Sequence, residues 1–198
     1  MRITAIVGSY RKGGVVDSAV DAVLAAAKEE GAETTKIYLV DRRIEYCTNC
    51  RTCTQPPGPD RGDCVLDDEV RDVLDQIARS DAIVFGSPMN FGTVTAVTKA
   101  FIERLVCYAH WPWGAMAPKI RSTQKDKKAV IVGSSAAPAF LARTTSGMVG
   151  LMKKAAGLLR AKPVGVLFVG LAAVEQQPRL GERTLRKARR MGKRLVSK

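Results

Sequence analysis

Five short strand-like runs recur along the chain, at residues 3–7, 35–40, 82–85, 129–132 and 163–169, and a stretch with helical periodicity follows each. Most of the runs are unbroken apolar sequence. That pattern belongs to strands buried on both faces of a parallel sheet. Residues 17–30 put Val20, Val23, Leu24 and Ala27 on one face and stop at Gly31. Residues 67–79 do the same with Val70, Val73, Leu74 and Ile77, behind an acidic start that suits the helix dipole. Residues 94–108, 140–159 and 179–197 complete the helices. Alternation of this kind predicts an α/β fold, a doubly wound parallel sheet with helices on both faces.

Five strands in 198 residues match the flavodoxin-like order better than the six-stranded dinucleotide-binding one. No repeat or linker divides the chain, so residues 1–198 are expected to form a single domain, with residues 41–66 as a cysteine-rich insertion. The apolar share of 46% and charged share of 26% exclude disordered and fibrous classes. The longest apolar run, at 163–174, is too short to span a bilayer, and no membrane partner is expected. The N-terminus leads straight into a strand rather than a signal peptide, so the expected location is cytoplasmic. In that reducing setting, clustered cysteines point to metal or redox chemistry.

In such folds the chemistry sits at the carboxyl ends of the strands. The first end reads Gly8-Ser9-Tyr10-Arg11-Lys12-Gly13-Gly14 and leads to Asp17-Ser18 at a helix start. Turn amides and a helix N-terminus converge there, Ser9 and Ser18 offer hydroxyls, and Arg11 and Lys12 bring charge. This is the physical description of a phosphate site. It is neither a Walker loop nor a Gly-x-Gly-x-x-Gly turn. The second end, Gly86-Ser87-Pro88-Met89-Asn90-Phe91-Gly92, forms a shallow wall. Its amides could face the edge of a flat heterocycle, and Met89 or Phe91 could touch the plane. Thr93 or Thr95 can cap the helix that follows.

These two loops together resemble the NADPH-dependent FMN reductases and iron–sulfur flavoproteins of the flavodoxin-like superfamily. The resemblance extends to the cysteine motif and to the helix carrying Lys99-Ala100-Phe101-Ile102-Glu103-Arg104. It implies a five-stranded parallel sheet, bound FMN, NAD(P)H as electron donor, and homodimers or homotetramers. It places the FMN phosphate at Ser9, Arg11, Lys12 and Ser18. The isoalloxazine would rest on Pro88, Met89, Asn90, Phe91 and Gly92, with Ser134, Ser135 and Ala136 at its other edge. One departure stands out. Members of the family often read Asn-Thr where this chain has Asp17-Ser18 after an insertion. A carboxylate near a phosphate is unhelpful unless it faces away.

Cys47, Cys50, Cys53 and Cys64 supply four thiols, the first three spaced so that one loop can wrap a cluster edge. The resemblance implies a four-iron four-sulfur cluster here, although the gap before Cys64 is long. Zinc, a reactive thiol pair, or thiols that only shape a loop are the alternatives. Cys107 reads as core, and His110 as a surface residue beside anchoring aromatics.

The chain carries a formal charge of +13, and residues 179–198 hold nine bases and one acid. Leu185, Ala188, Met191 and Leu195 keep one stripe of that helix apolar. The expectation is an FMN-dependent oxidoreductase that passes electrons from NAD(P)H or a protein donor to a small acceptor, such as a quinone or flavin. The other reading is a basic nucleic-acid- or protein-binding module on a degenerate flavodoxin scaffold. No nucleic-acid motif supports it, and nucleic acid is not an expected partner.

Overall fold

A computed structural model describes residues 1–176 and 179–197. Lys198, the last base of the tail, lies outside the described residues. Five parallel strands form the sheet: β1 (Arg2–Val7), β2 (Glu33–Tyr38), β3 (Ala82–Asn90), β7 (Lys127–Ser134) and β8 (Ala161–Val169). Their order is β2-β1-β3-β7-β8, which is the flavodoxin-like arrangement. The direction of winding reverses between β1 and β3, so the carboxyl ends of those two strands flank the switch point.

The sheet separates two apolar layers. On one side α1 (Val15–Glu29) and α6 (Glu182–Val196) pack on Ile3, Ala5, Val7, Val84, Val130 and Val132. On the other, α2 (Val70–Ala78), α3 (Ala96–Arg104) and α5 (Met148–Leu158) cover Ile6, Ile83, Phe85, Ala129 and Ile131. The central strands β1, β3 and β7 thus send alternate side chains into opposite layers, which explains their apolar runs. The basic helix α6 buries Ala188, Met191, Gly192 and Leu195 and turns its cations outward. Gly192 permits the close crossing, since a Cβ there would lie 2.4 Å from the carbonyl oxygen of Val23 in α1. Among the described residues, no helix is long and apolar enough to cross a membrane.

Several elements differ from expectation. Strand β3 does not stop at Phe85; it runs on to Asn90 and folds back as a hairpin with β4 (Thr93–Val94). Its loop is Phe91-Gly92, both at positive φ (+48° and +77°), the geometry of a tight hairpin turn. The helix expected over 140–159 is two helices, α4 (Ala139–Thr145) and α5, broken at Ser146-Gly147. The helix expected over 94–108 becomes a 3-10 turn after Arg104. A two-stranded ribbon of β5 (Ala109–His110) and β6 (Lys119–Ile120) follows within the aromatic and basic loop. These pieces are too short to leave a periodic signature.

Candidate functional site

The ends of β1 and β3 are locked by a knot of buried hydroxyls. The Gly8 amide donates to the carbonyl of Gly86 at 2.8 Å. The Gly8 carbonyl accepts from Thr95 Oγ1 at 2.6 Å and Thr98 Oγ1 at 3.3 Å, and Thr98 Oγ1 lies 3.1 Å from Ser87 Oγ. Thr95 caps α3, accepting the Thr98 amide. Residue 8 has to be glycine here, because a Cβ would sit 1.7 Å from Thr98 Oγ1. Sequence reading found the cap but not the knot; the Thr-x-x-Thr spacing at the helix start was its only trace.

From this anchor the first loop turns outward. Buried Ser9 donates its hydroxyl to the Arg11 carbonyl and accepts the Arg11 amide, both at 3.1 Å. Ser18 Oγ reaches the Gly13 carbonyl at 3.3 Å. Arg11, Lys12, Gly13, Gly14 and Ser18 line a cavity of about 570 Å³ at the N-terminus of α1. Arg179, Leu180 and Leu185 form its far wall. Arg11 bridges to that side through a 2.7 Å bond to the Gln176 carbonyl. Lys12 pairs with Asp41 at 2.7 Å and lies over the Tyr38 ring. Every charged group lining this cavity is a cation, and the helix dipole adds to the field. The chemistry suits a phosphate. Arg179 is brought here from a distant part of the chain, and no local motif marked it.

The unusual carboxylate faces away. Asp17 accepts from the Gly13 amide at 2.7 Å, Lys36 Nζ at 2.8 Å and the Tyr38 hydroxyl at 3.0 Å. Burial pushes its carboxyl up, but the bonds from Lys36, Gly13 and Tyr38 outweigh burial and hold it below the ordinary carboxylate range. Burial likewise works against the Lys36 cation, and the bonds to Asp17 and Asp21 raise it well above an ordinary lysine. Asp17 therefore shapes the loop from behind and is neutralised there.

In the second loop Pro88 and Met89 are half-buried, while Asn90, Phe91 and Gly92 are exposed. Phe91 is wholly in solvent despite a φ that costs a non-glycine residue about 1–2 kcal/mol. Ser134 and Ser135 are buried at the end of β7, and Ala136 is exposed. Ser135 Oγ donates to the Ala137 carbonyl at 2.7 Å. The Ser135 amide donates to Val169 and its carbonyl accepts from Ala172, so the loops after β7 and β8 are zipped together. All these segments lie along one edge of the sheet.

The cysteine insertion covers the α2–α3 side. Cys47, Cys50, Cys53 and Cys64 all line one cavity of about 290 Å³, with Arg51, Leu66, Arg104, Val106 and Trp111. Burial pushes the Cys53 thiol up, and the neighbouring Cys64, Cys47 and Cys50 add to the effect. Bonds from Thr52 lower the Cys50 thiol. Among the described residues, no three His, Cys, Asp or Glu side chains converge tightly enough to hold a single metal ion. The thiols surround a space rather than a point. Cys107 is core, its thiol pushed up to about 12 by burial.

Three arginines fasten this insertion. Arg104, almost fully buried, pairs with Asp68 and donates to the Glu45 carbonyl at 2.8 Å and to Cys64 Sγ at 3.2 Å. Arg121 donates to the carbonyls of Cys53, Cys107 and Gly58 at 3.0–3.1 Å. Arg51 lies between Trp111 and Trp113, 3.9 and 4.2 Å from the ring centres. Its Nε is buried with no hydrogen-bond partner among the described residues. Arg104 stood in the motif that carried the resemblance; the roles of Arg51 and Arg121 had no sequence signal.

The model of the NADPH-dependent FMN reductase family matches residues 1–180. The chain belongs to that family. An iron–sulfur flavoprotein of Archaeoglobus fulgidus is 35% identical over 112 residues, 57% of this chain and 49% of the relative. An iron–sulfur flavoprotein of Methanosarcina thermophila is 32% identical over 106 residues, 54% of this chain and 53% of the relative. The chain thus spans about half the length of the curated relatives it matches. A solved FMN-dependent NADH-azoreductase from Bacillus anthracis, in complex with FMN, superposes with a TM-score of 0.72 at 10% identity, covering 100% of both chains. That likeness shows the shared fold, and family membership accounts for the paired Gly-Ser strand ends.

Proposed function

We propose that the protein is an FMN-dependent oxidoreductase that takes electrons from NAD(P)H or a protein donor and delivers them to a small acceptor, such as a quinone or flavin. The observation that carries this reading is the all-cationic cavity at the start of α1, on the loop that follows β1 at the switch point. FMN, when bound, supplies hydride and electron transfer at its ring system. Ser9, Arg11, Lys12 and Ser18 would hold the phosphate, and Asp17 would keep the Gly13 turn closed from the rear. Pro88, Met89, Asn90, Phe91 and Gly92 would present a flat wall to one side of the ring, and Ser134, Ser135 and Ala136 would border it. Tyr10, Phe91 and Leu171 on loops and Phe140 at the start of α4 are exposed apolar groups. They support a homodimer or homotetramer in which a second subunit covers the ring. A cytoplasmic location goes with free thiols.

The cysteine cavity supports a second cofactor. Four thiols around an apolar space, with a guanidinium bonded to one sulfur, suit an anionic four-iron four-sulfur cluster better than a single zinc ion. Such a cluster would let electrons enter or leave singly.

Titration of FMN against the protein, read by quenching of flavin fluorescence, tests the phosphate assignment. The Arg11→Ala/Ser18→Ala variant should keep its circular dichroism and bind FMN at least tenfold more weakly, given about 1.5–3 kcal/mol for a hydrogen bond to a charged group. Unchanged affinity would remove the phosphate from this loop.

A further inference from the structure

Three features of the cysteine insertion belong together. Arg104 donates Nη2 to Cys64 Sγ while its other nitrogen pairs with Asp68. Arg51, seated between Cys50 and Cys53 in sequence, takes a left-handed backbone (φ +62°) and lines the same cavity. Its guanidinium is clamped by two indole rings, with Nη2 bonded to the Trp111 carbonyl at 2.7 Å. Yet its Nε is buried without an acceptor among the described residues. A buried donor left without an acceptor is unfavourable, and a left-handed arginine adds strain. Both costs are sustained in one residue, inside a motif of four thiols. Among the described residues, no carboxylate pairs with Arg51: Asp68 is committed to Arg104, and Glu45 gives its backbone carbonyl to that same arginine.

We propose that Arg51 and Arg104 are positioning residues for an anionic thiolate-ligated cluster, and that together they raise its reduction potential. The inference rests on the cluster reading given above and goes beyond it by assigning the tuning groups. Four thiolates around an iron–sulfur core leave the assembly negative, and each electron added deepens that charge. Guanidinium is a permanent cation. Arg104 sets one beside Cys64 Sγ and Arg51 lines the same apolar, half-enclosed cavity; such a cation stabilises the reduced form more than the oxidised form, and hydrogen bonds to the sulfurs act in the same direction. Arg104 is partly neutralised by Asp68, whereas Arg51 is balanced only by the faces of two tryptophans, which hold a cation without cancelling its charge. Arg51 therefore carries the larger share. Trp111, which lines the cavity, and Trp113 serve to hold that cation in one place, which gives the aromatic loop a function that a surface anchor alone would not need.

The experiment is a mediated redox titration, with dithionite as reductant, of anaerobically purified full-length protein with its cluster reconstituted. Cluster signals are followed by electron paramagnetic resonance, and iron is assayed in the same samples. Arg51→Met keeps the stem and removes the charge. It should retain iron and lower the midpoint potential by a tenfold or greater change in the one-electron equilibrium, about 59 mV or more. Arg51→Lys should recover part of that shift. Arg189→Met, an exposed change on α6, serves as the distant charge control and should leave the potential in place. Trp111→Leu should reproduce part of the Arg51→Met shift by loosening the clamp. An iron-loaded Arg51→Met with unchanged or raised potential would overturn the tuning assignment alone. A wild-type protein that takes up no cluster under reconstitution would overturn the cluster reading and the inference with it.

Discussion

The carboxyl edge of the sheet and the cysteine insertion are ordered by different kinds of bond. At the edge the fixing contacts are made by backbone groups, small hydroxyls and a tight turn: Gly8 to Gly86, Thr95 and Thr98 to Gly8, Ser9 to Arg11, and the Phe91-Gly92 turn. In the insertion they are made by guanidinium groups. Arg104 reaches Asp68 across 36 positions, Arg51 reaches Trp111 across 60, and Arg121 reaches Cys53 across 68. The edge is a rigid consequence of strands that had to end somewhere. The insertion has no secondary structure beyond a single 3-10 turn and depends on charged side chains to hold backbone carbonyls in place. A site of the first kind survives loss of its ligand contacts, because the sheet supports it. A site of the second kind depends on its buried Arg104–Asp68 pair and loosens when that guanidinium is removed.

The largest effect expected from this contrast is at Arg104. Its removal leaves Asp68 buried and unpaired, a change worth about 3–5 kcal/mol. Asp68 is held below the ordinary carboxylate range because the bonds from Arg104 and from backbone amides outweigh the upward push of burial. Arg104→Ala should therefore shift the urea midpoint sharply, and adding Asp68→Leu should restore part of the loss. A mild effect of Arg104→Ala alone would show that the insertion does not depend on that pair.

Asp17 offers an intermediate test. Its carboxyl is lowered in the folded protein, so the network it forms with Lys36 and Tyr38 stabilises the fold at neutral pH. That contribution is lost as pH falls below the ordinary carboxylate value and through the lowered one. Asp17→Asn should cost roughly 1–3 kcal/mol at pH 7 and flatten the acid limb of the stability profile. Its FMN affinity should stay near wild type, since the carboxylate does not line the cationic cavity. A large gain in affinity on removing the charge would mean that Asp17 faces the phosphate after all.

Phe91 gives the smallest effect and the opposite sign. Phe91→Gly relieves a strain of about 1–2 kcal/mol at the cost of about 0.5–1 kcal/mol of extra chain entropy. The net gain of roughly 0.5–1 kcal/mol should appear as a higher melting temperature, together with a perturbed spectrum of added flavin. A destabilised variant would show that the exposed ring packs on something in solution.

The contrast also explains what could be read in advance. The two apolar layers and the Gly8–Ser18 and Gly86–Gly92 loops follow from periodicity and turn chemistry, both local properties; the match of five strands to the flavodoxin-like order supplied the strand order, and family resemblance supplied the cofactor. The hairpin extension of β3 was hidden because Pro88 and Gly92 read as loop punctuation, although Pro88 sits beside β7 in the sheet. The break at Ser146-Gly147 was hidden because the apolar spacing continues across it. Arg179 at the cationic cavity, and Arg51 and Arg121 at the insertion, left no trace, since arginine on a basic chain looks like solvated surface until its partner is known.

The most direct measurement is an absorption spectrum of protein purified without oxygen, with iron and zinc assayed on the same sample. The account predicts flavin bands, restored by added FMN if they are weak, together with a broad iron-linked absorbance that dithionite bleaches. Protein that stays colourless and leaves the fluorescence of added FMN unquenched would contradict it.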